Sequence, residues 1–180
     1  MIGTVPRVAI PDFITDLRSR IGTDLLWLAG VTAVVHRPGQ STGADAGVAR
    51  DDVLLVRRAD NGWWTPVTGV IDPGEEPADA AVREVLEEAG VVAVAERIAW
   101  LHVLPPMTYE NGDQAQYLDI TIRCRWVSGD PHPVDGENTD ARWYPVDQLP
   151  TMPGTHGERI ARAMDGTGPA HFHGGGLPTT

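Results

Sequence analysis

Cysteine is nearly absent from this 180-residue chain, and Cys124 is its single thiol. No disulfide can therefore close within it. Cys124 sits in the apolar-rich run DITIRCRWV and reads as a core or edge-strand thiol rather than a nucleophile. Long apolar runs are missing too; none approaches the roughly 20 residues of a membrane-spanning helix. The first residues lack the basic-then-apolar pattern of a secretion signal, so the expected location is cytoplasmic, with no membrane partner. Basic residues are scarce: 14 Lys and Arg stand against 25 Asp and Glu, a net charge of −11. General binding to a nucleic-acid polymer needs a basic face, and that class is set aside. A small nucleotide substrate stays open, because metal ions can carry the countercharge.

What is present is ordinary for a globular protein: 42% hydrophobic and 22% charged residues, with enough length for one substantial core. There are no internal repeats. Phe13, Ile14, Leu17 and Ile21 fall at helical spacing before Gly22, which predicts a leading helix over 11–21. Residues 25–36 read as one or two strands, 37–52 as a loop, and 52–56 as a short buried strand. Strands follow over 93–104, 116–127 and 141–146, with a closing helix over 157–164. Residues 105–115 read as a polar lid-like loop and 128–140 as a second loop. The Gly/Pro-rich end reads as a mobile tail. The expected organisation is an N-terminal helical extension (1–24), one α/β domain (25–165) and the tail (166–180). Strands interleaved with helices suggest an α/β/α sandwich around a mixed sheet.

Residues 69–91, GVIDPGEEPADAAVREVLEEAGV, are the most informative stretch. Pro77 suits a first helical turn, Ala, Glu, Leu and Arg follow, and Gly90 is a natural stop. A helix from Pro77 to Ala89 places Glu84, Glu87 and Glu88 on one side. Ala81, Val82, Val85 and Leu86 are its expected apolar anchor. Crowded carboxylates repel one another, which raises their pKa values, and a hard cation such as Mg²⁺ relieves that strain. Mg²⁺ commonly bridges carboxylates to substrate phosphates, so the pattern suggests attack of water on phosphorus. A Glu-rich helix face is ordinarily only a solvated surface. Here Gly69, Glu75 and Arg83 at fixed offsets reverse that expectation.

Nine positions, Gly69, Glu75, Arg83, Glu84, Val85, Glu87, Glu88, Gly90 and Val91, match the Nudix signature Gx5Ex7REUxEExGU, with U apolar. The chain resembles the Nudix hydrolases. That resemblance implies an α/β/α fold with a mixed sheet and Mg²⁺ or Mn²⁺ as cofactor. It implies Glu84, Glu87, Glu88 and the Gly69 carbonyl as metal ligands, and Glu75 and Arg83 as orienting residues. It implies hydrolysis of a nucleoside diphosphate linked to another moiety, with Glu87, Glu88 or a later acid as general base. Glu137 is the candidate later acid, Glu110 and Asp113 weaker ones, and an ordinary loop role for Glu137 stays open.

Arg58 lies where related chains place a phosphate-contacting arginine, although Arg57 and Arg58 also suit a surface ion pair. Trp63 or Trp64 suits stacking on a base, with core packing the commoner role for Trp64. Pro106 and Tyr109 are substrate markers that point to different subfamilies, ADP-ribose and dinucleoside polyphosphates, and they cancel; Tyr109 stays a substrate-binding candidate. His171 and His173 read as solvated tail residues. The chain departs from the common pattern where Val67-Thr68 replaces Pro-Gly before Gly69 and where the N-terminal helix is added. That helix is a candidate homodimer contact. Two other classes are disfavoured: a diphosphate isomerase, because Cys124 lacks the supporting motif that chemistry needs, and a catalytically silent nucleotide-metabolite sensor, because the signature carboxylates such proteins commonly lose are all present.

Overall fold

The computed structural model describes residues 10–39, 50–166 and 168–172. Helix α1 (Asp12–Ile21) ends where Gly22 takes a positive φ of 60°, as its position after Ile21 requires. Strand β1 (Leu26–Pro38) is a single long strand, and β2 covers Asp51–Arg58. The expected 37–52 loop is thus shorter at both ends, and its residues 40–49 lie outside the described residues. Two short strands follow, β3 (Trp64–Thr65) and β4 (Val67–Val70). Gly69, expected in a loop, is a strand residue paired with Val31 of β1. Helix α2 spans Pro77–Ala89, with Pro77 in the first turn and Gly90 left-handed at its end.

The remaining elements are β5 (Val92–Val103), β6 (Met107–Thr108), β7 (Gln114–Ser128), β8 (Asn138–Pro145), α3 (His156–Met164) and β9 (His171–Phe172). The lid-like loop holds β6, paired antiparallel with the start of β7. The described end of the tail is not loose: β9 pairs parallel with Trp100 and Leu101 of β5. His173 lies outside the described residues.

The sheet runs β3-β2-β1-β7-β5-β9, with β4 on β1, β6 on β7 and β8 on β2. The β1–β7 ladder is parallel and the β5–β7 ladder antiparallel, so the sheet is mixed. Alternation along β1 builds both layers. Val31, Ala33 and Val35 join Ala80, Ala81, Val85 and Ala89 of α2 in one core. Val34 meets Ile160 and Ala163 of α3 in a second core. The result is the α/β/α sandwich. The α2 anchor differs from expectation in phase: Ala80 and Ala89 are buried, while Leu86 is 52% exposed. The helix turns Leu86 toward its edge so that Glu88 faces inward. Helix α1 seats Ile14 against Leu26, Leu28 and Ala115. No described helix is long and apolar enough to cross a membrane.

Candidate active site

Arg83 organises the signature. Its Nε and Nη2 donate to both oxygens of Glu75, at 2.8 and 2.9 Å. Its Nη1 donates to Glu84 Oε1 at 2.9 Å and to Glu87 Oε2 at 3.0 Å. Its Nη2 also reaches the Val70 carbonyl at 3.2 Å, which ties α2 to β4. Glu75 in turn accepts from the Asp72 N–H at 3.1 Å. The Arg83 guanidinium holds the Glu75 carboxyl below its ordinary range. Glu75 is thus linked through Arg83 to Glu84, Glu87 and β4.

The three signature glutamates are not equivalent. Glu88 is only 3% exposed, and its Oε2 accepts from Asn138 Nδ2 at 2.7 Å. The Glu84 carboxylate is largely covered, whereas Glu87 is more than half exposed. Gly69 makes room for Glu84, because a Cβ there would stand 2.1 Å from the carboxyl group. Burial pushes the Glu84 carboxyl up to about 7, opposed by Arg83 and reinforced by Glu87 and Glu137. Burial pushes Glu88 up to about 8, opposed by the Asn138 hydrogen bond and reinforced by Glu84, Glu137 and Asp135.

Glu137 thus stands within electrostatic reach of both buried carboxylates. Its backbone is fixed on both sides: its N–H donates to Asp135 Oδ1, and its carbonyl accepts from the Ala59 N–H, each at 2.9 Å. Arg58 lies within reach of Glu88 and Glu137, and it pairs with Asp60 through bonds of 3.0 and 2.8 Å. A loop acid and an arginine from β2 therefore lie within electrostatic reach of the α2 carboxylates.

The other candidates make different contacts. Trp64 packs edge-on against Tyr144, with ring centroids 5.2 Å apart, partly buried against the α3-side core. Tyr109 places its hydroxyl 2.9 Å from that of Tyr117. Asp113 sits 3.5 Å from Arg18 of α1, and Glu110 is exposed. His171 lies 3.8 Å from Asp165. Cys124 is fully buried, and that burial pushes its thiol up to about 12, which leaves it inert.

Two residues at the site carry no sequence signal, Asn138 and Tyr117. A Cβ on Gly30 would lie 3.2 Å from the Tyr117 ring and 3.5 Å from the Gly69 carbonyl oxygen. Tyr117 and the Gly69 carbonyl therefore both border Gly30.

A NUDIX domain model matches residues 39–165. A MutT-like protein of Streptomyces ambofaciens is 28% identical over 148 residues, covering 81% of this chain and 90% of that protein. The NAD-capped RNA hydrolase NudC of Stutzerimonas stutzeri is 29% identical over 136 residues, 73% of this chain and 45% of that protein. NudC of Pseudomonas aeruginosa PAO1 is 36% identical over 106 residues, 57% of this chain and 35% of that protein. The chain spans less than half the length of these NudC relatives. In fold it is similar to an ADP-ribose pyrophosphatase of Streptococcus suis, with a TM-score of 0.58, 21% identity, and coverage of 81% of this chain and 98% of that one. The chain belongs to the NUDIX domain family, and its class is that of the Nudix hydrolases.

Proteins of this family generally use divalent metal ions. Among the described residues, no three His, Cys, Asp or Glu side chains stand close enough to form a finished ligand set. Arg83 holds Glu87 and Glu84 in the present arrangement. The donor chemistry nevertheless fits a hard cation. Burial lifts the Glu84 and Glu88 carboxyls, with repulsion between them adding to it, and the buried Asn138 Oδ1 beside Glu88 lacks a hydrogen-bond partner among the described residues. Oxygen donors of this kind suit Mg²⁺ or Mn²⁺.

Proposed function

We propose that the chain is a divalent-metal-dependent pyrophosphohydrolase of nucleoside diphosphates linked to another moiety, with Mg²⁺ or Mn²⁺ as its ion. The observation that carries this reading is a pair of covered carboxylates on α2, Glu84 packed against the Gly69 backbone and Glu88 buried beneath Asn138. Charge burial of this kind is costly unless the charge is matched. Glu84 and Glu88 would hold the ion, with the Gly69 carbonyl beside them. Glu87 would join once released from Arg83. A bound ion of this type neutralises phosphate charge and lowers the pKa of attacking water.

The chain's own residues do the rest. Arg58 binds a phosphate oxygen once its pairing with Asp60 yields. Glu137 accepts the proton of the attacking water, and Glu87 is its alternative in that role. Glu75 and Arg83 hold α2 against β4 and keep the carboxylates in place. Tyr109, paired with Tyr117, offers an aromatic contact for the nucleoside.

The NudC relatives put a dinucleotide of the NAD type among the first compounds to test. The net charge of −11 speaks against a long RNA as the preferred form. The experiment is product release from NAD, ADP-ribose, sugar nucleotides, dinucleoside polyphosphates, NAD-capped RNA, and ordinary and oxidised nucleoside triphosphates. Each is assayed with Mg²⁺ or Mn²⁺ and with EDTA, beside the Glu88→Gln variant. The expected outcome is EDTA-sensitive turnover of one class, lost in that variant. Undiminished turnover in EDTA would sink the metal reading. A catalytically silent metabolite sensor is the second reading, favoured by the Arg83 clamp on Glu84 and Glu87. Binding across the panel without turnover would bring it to the front.

A further inference from the structure

Strand β8 pairs with β2 in steps of one until its start. Val56 faces Ala141 and Arg57 faces Asp140, but Arg58 faces Asn138. Thr139 is the extra residue, and its hydroxyl donates to the Arg57 carbonyl at 3.2 Å. A bulge shifts the following side chains by one position, and because strand side chains alternate, that shift exchanges faces. Regular pairing would set Thr139 opposite Arg58 and turn Asn138 to the other face. The bulge instead puts Asn138 on the α2 side, where its amide meets Glu88.

Asn138 is 5% exposed. Its Nδ2 donates to Glu88 Oε2 at 2.7 Å, the direction that an ionised, metal-holding Glu88 requires because a carboxylate only accepts, and this turns Oδ1 away from it. That Oδ1 is buried with no partner among the described residues. An orphaned buried oxygen weakens a fold. The next residues of β8 that pack against the same core, Ala141 and Trp143, are hydrophobic. Packing alone would favour an apolar side chain at 138 as well.

We propose that Asn138 is a positioning residue for Glu88. Its amide, aimed by the Thr139 bulge, holds Glu88 Oε2 and leaves the other carboxylate oxygen to the ion. The proposal rests on the metal-dependent reading above and adds to it the group that orients the innermost carboxylate.

The test is Mn²⁺ binding to the full chain, followed by electron paramagnetic resonance without substrate, in wild type and Asn138→Leu. Leucine keeps the volume and removes the donor. Near-UV circular dichroism checks the fold, and Asn138→Ser carries the comparison if the leucine variant does not fold. The expected result is Mn²⁺ binding weakened about 10- to 100-fold, the range for lost support of a metal ligand. At saturating metal, kcat should fall while the substrate KM stays near wild type. Wild-type Mn²⁺ affinity in a folded variant would overturn the positioning role while leaving the metal reading intact. No Mn²⁺ binding by the wild type would overturn that reading itself.

Discussion

Gly69 illustrates how one missing side chain shapes the site. A Cβ there would lie 2.1 Å from the Glu84 carboxyl, so alanine and the present Glu84 position exclude each other. The Glu84 carboxyl is held by Arg83, yet it is the end of a flexible chain and is the part that yields. Gly69→Ala should therefore keep the fold at a cost of about 1–3 kcal/mol, the usual range for overpacking. Activity should fall on the order of 100-fold, as small misplacements of reacting groups do. A thermal melt and kcat/KM together check this, and wild-type kcat/KM would remove Glu84 from the site. Glu84, Glu87 and Glu88 were legible in the sequence as one side of a helix, whereas Glu75 and Arg83 were marked only by the fixed offsets of the signature. Asn138 was not, because its facing depends on a bulge that pairing with β2 creates. Nor did spacing separate Glu87 from Glu88: both follow Glu84 by about one turn, and only the sheet and Asn138 bury the second.

At the level of elements, α3 is fastened to the sheet by polar contacts at its C-terminal end and on its buried face. Arg97 and Arg123 donate to the Ala163 carbonyl near its C-terminus, at 3.2 and 3.0 Å. On the buried face, Arg159 donates to Thr32 Oγ1 at 2.8 Å and stands 3.4 Å from Asp119. Asp119 also accepts from Thr32 and Thr121, at 2.6 and 2.8 Å. Removing the carboxylate leaves Arg159 charged and 4% exposed without its counter-ion. Breaking such a buried pair costs about 3–5 kcal/mol. At about 2–4 °C per kcal/mol for a chain of this size, Asp119→Ala should lower Tm by roughly 6–20 °C. A drop below about 2 °C would show that the pair does not hold α3. The helices were legible from apolar spacing and from their glycine and proline ends. Strands β3, β4, β6 and β9 were not. At two to four residues each they are too short for alternation to register, and their pairing partners define them.

Across the whole molecule, charge ties these features to pH. All fourteen cationic side chains are arginine, and guanidinium stays charged through any ordinary titration. Changes in charge between pH 5 and 9 thus fall chiefly to carboxylates and histidines. Glu84 and Glu88 matter most among them, because burial lifts them from 4.5 to about 7 and about 8 in the folded chain. The native state then binds more protons than the unfolded state above pH 4.5, and stability must fall as pH rises through that window. Burial holds His156 down to about 4, which opposes this fall below about pH 6.5, so metal-free protein should lose Tm chiefly between about pH 6.5 and 8.5 and level off beyond, once both carboxyls are ionised in either state. A divalent ion binds the ionised carboxylates, so Mg²⁺ should raise Tm little at pH 5 and most above pH 8. Thermal melts at five pH values, in EDTA and in Mg²⁺, separate the two curves. A Tm in EDTA that climbs over this range would mean that Glu84 and Glu88 are ionised and matched by the protein alone, which leaves the ion no role in stabilising them.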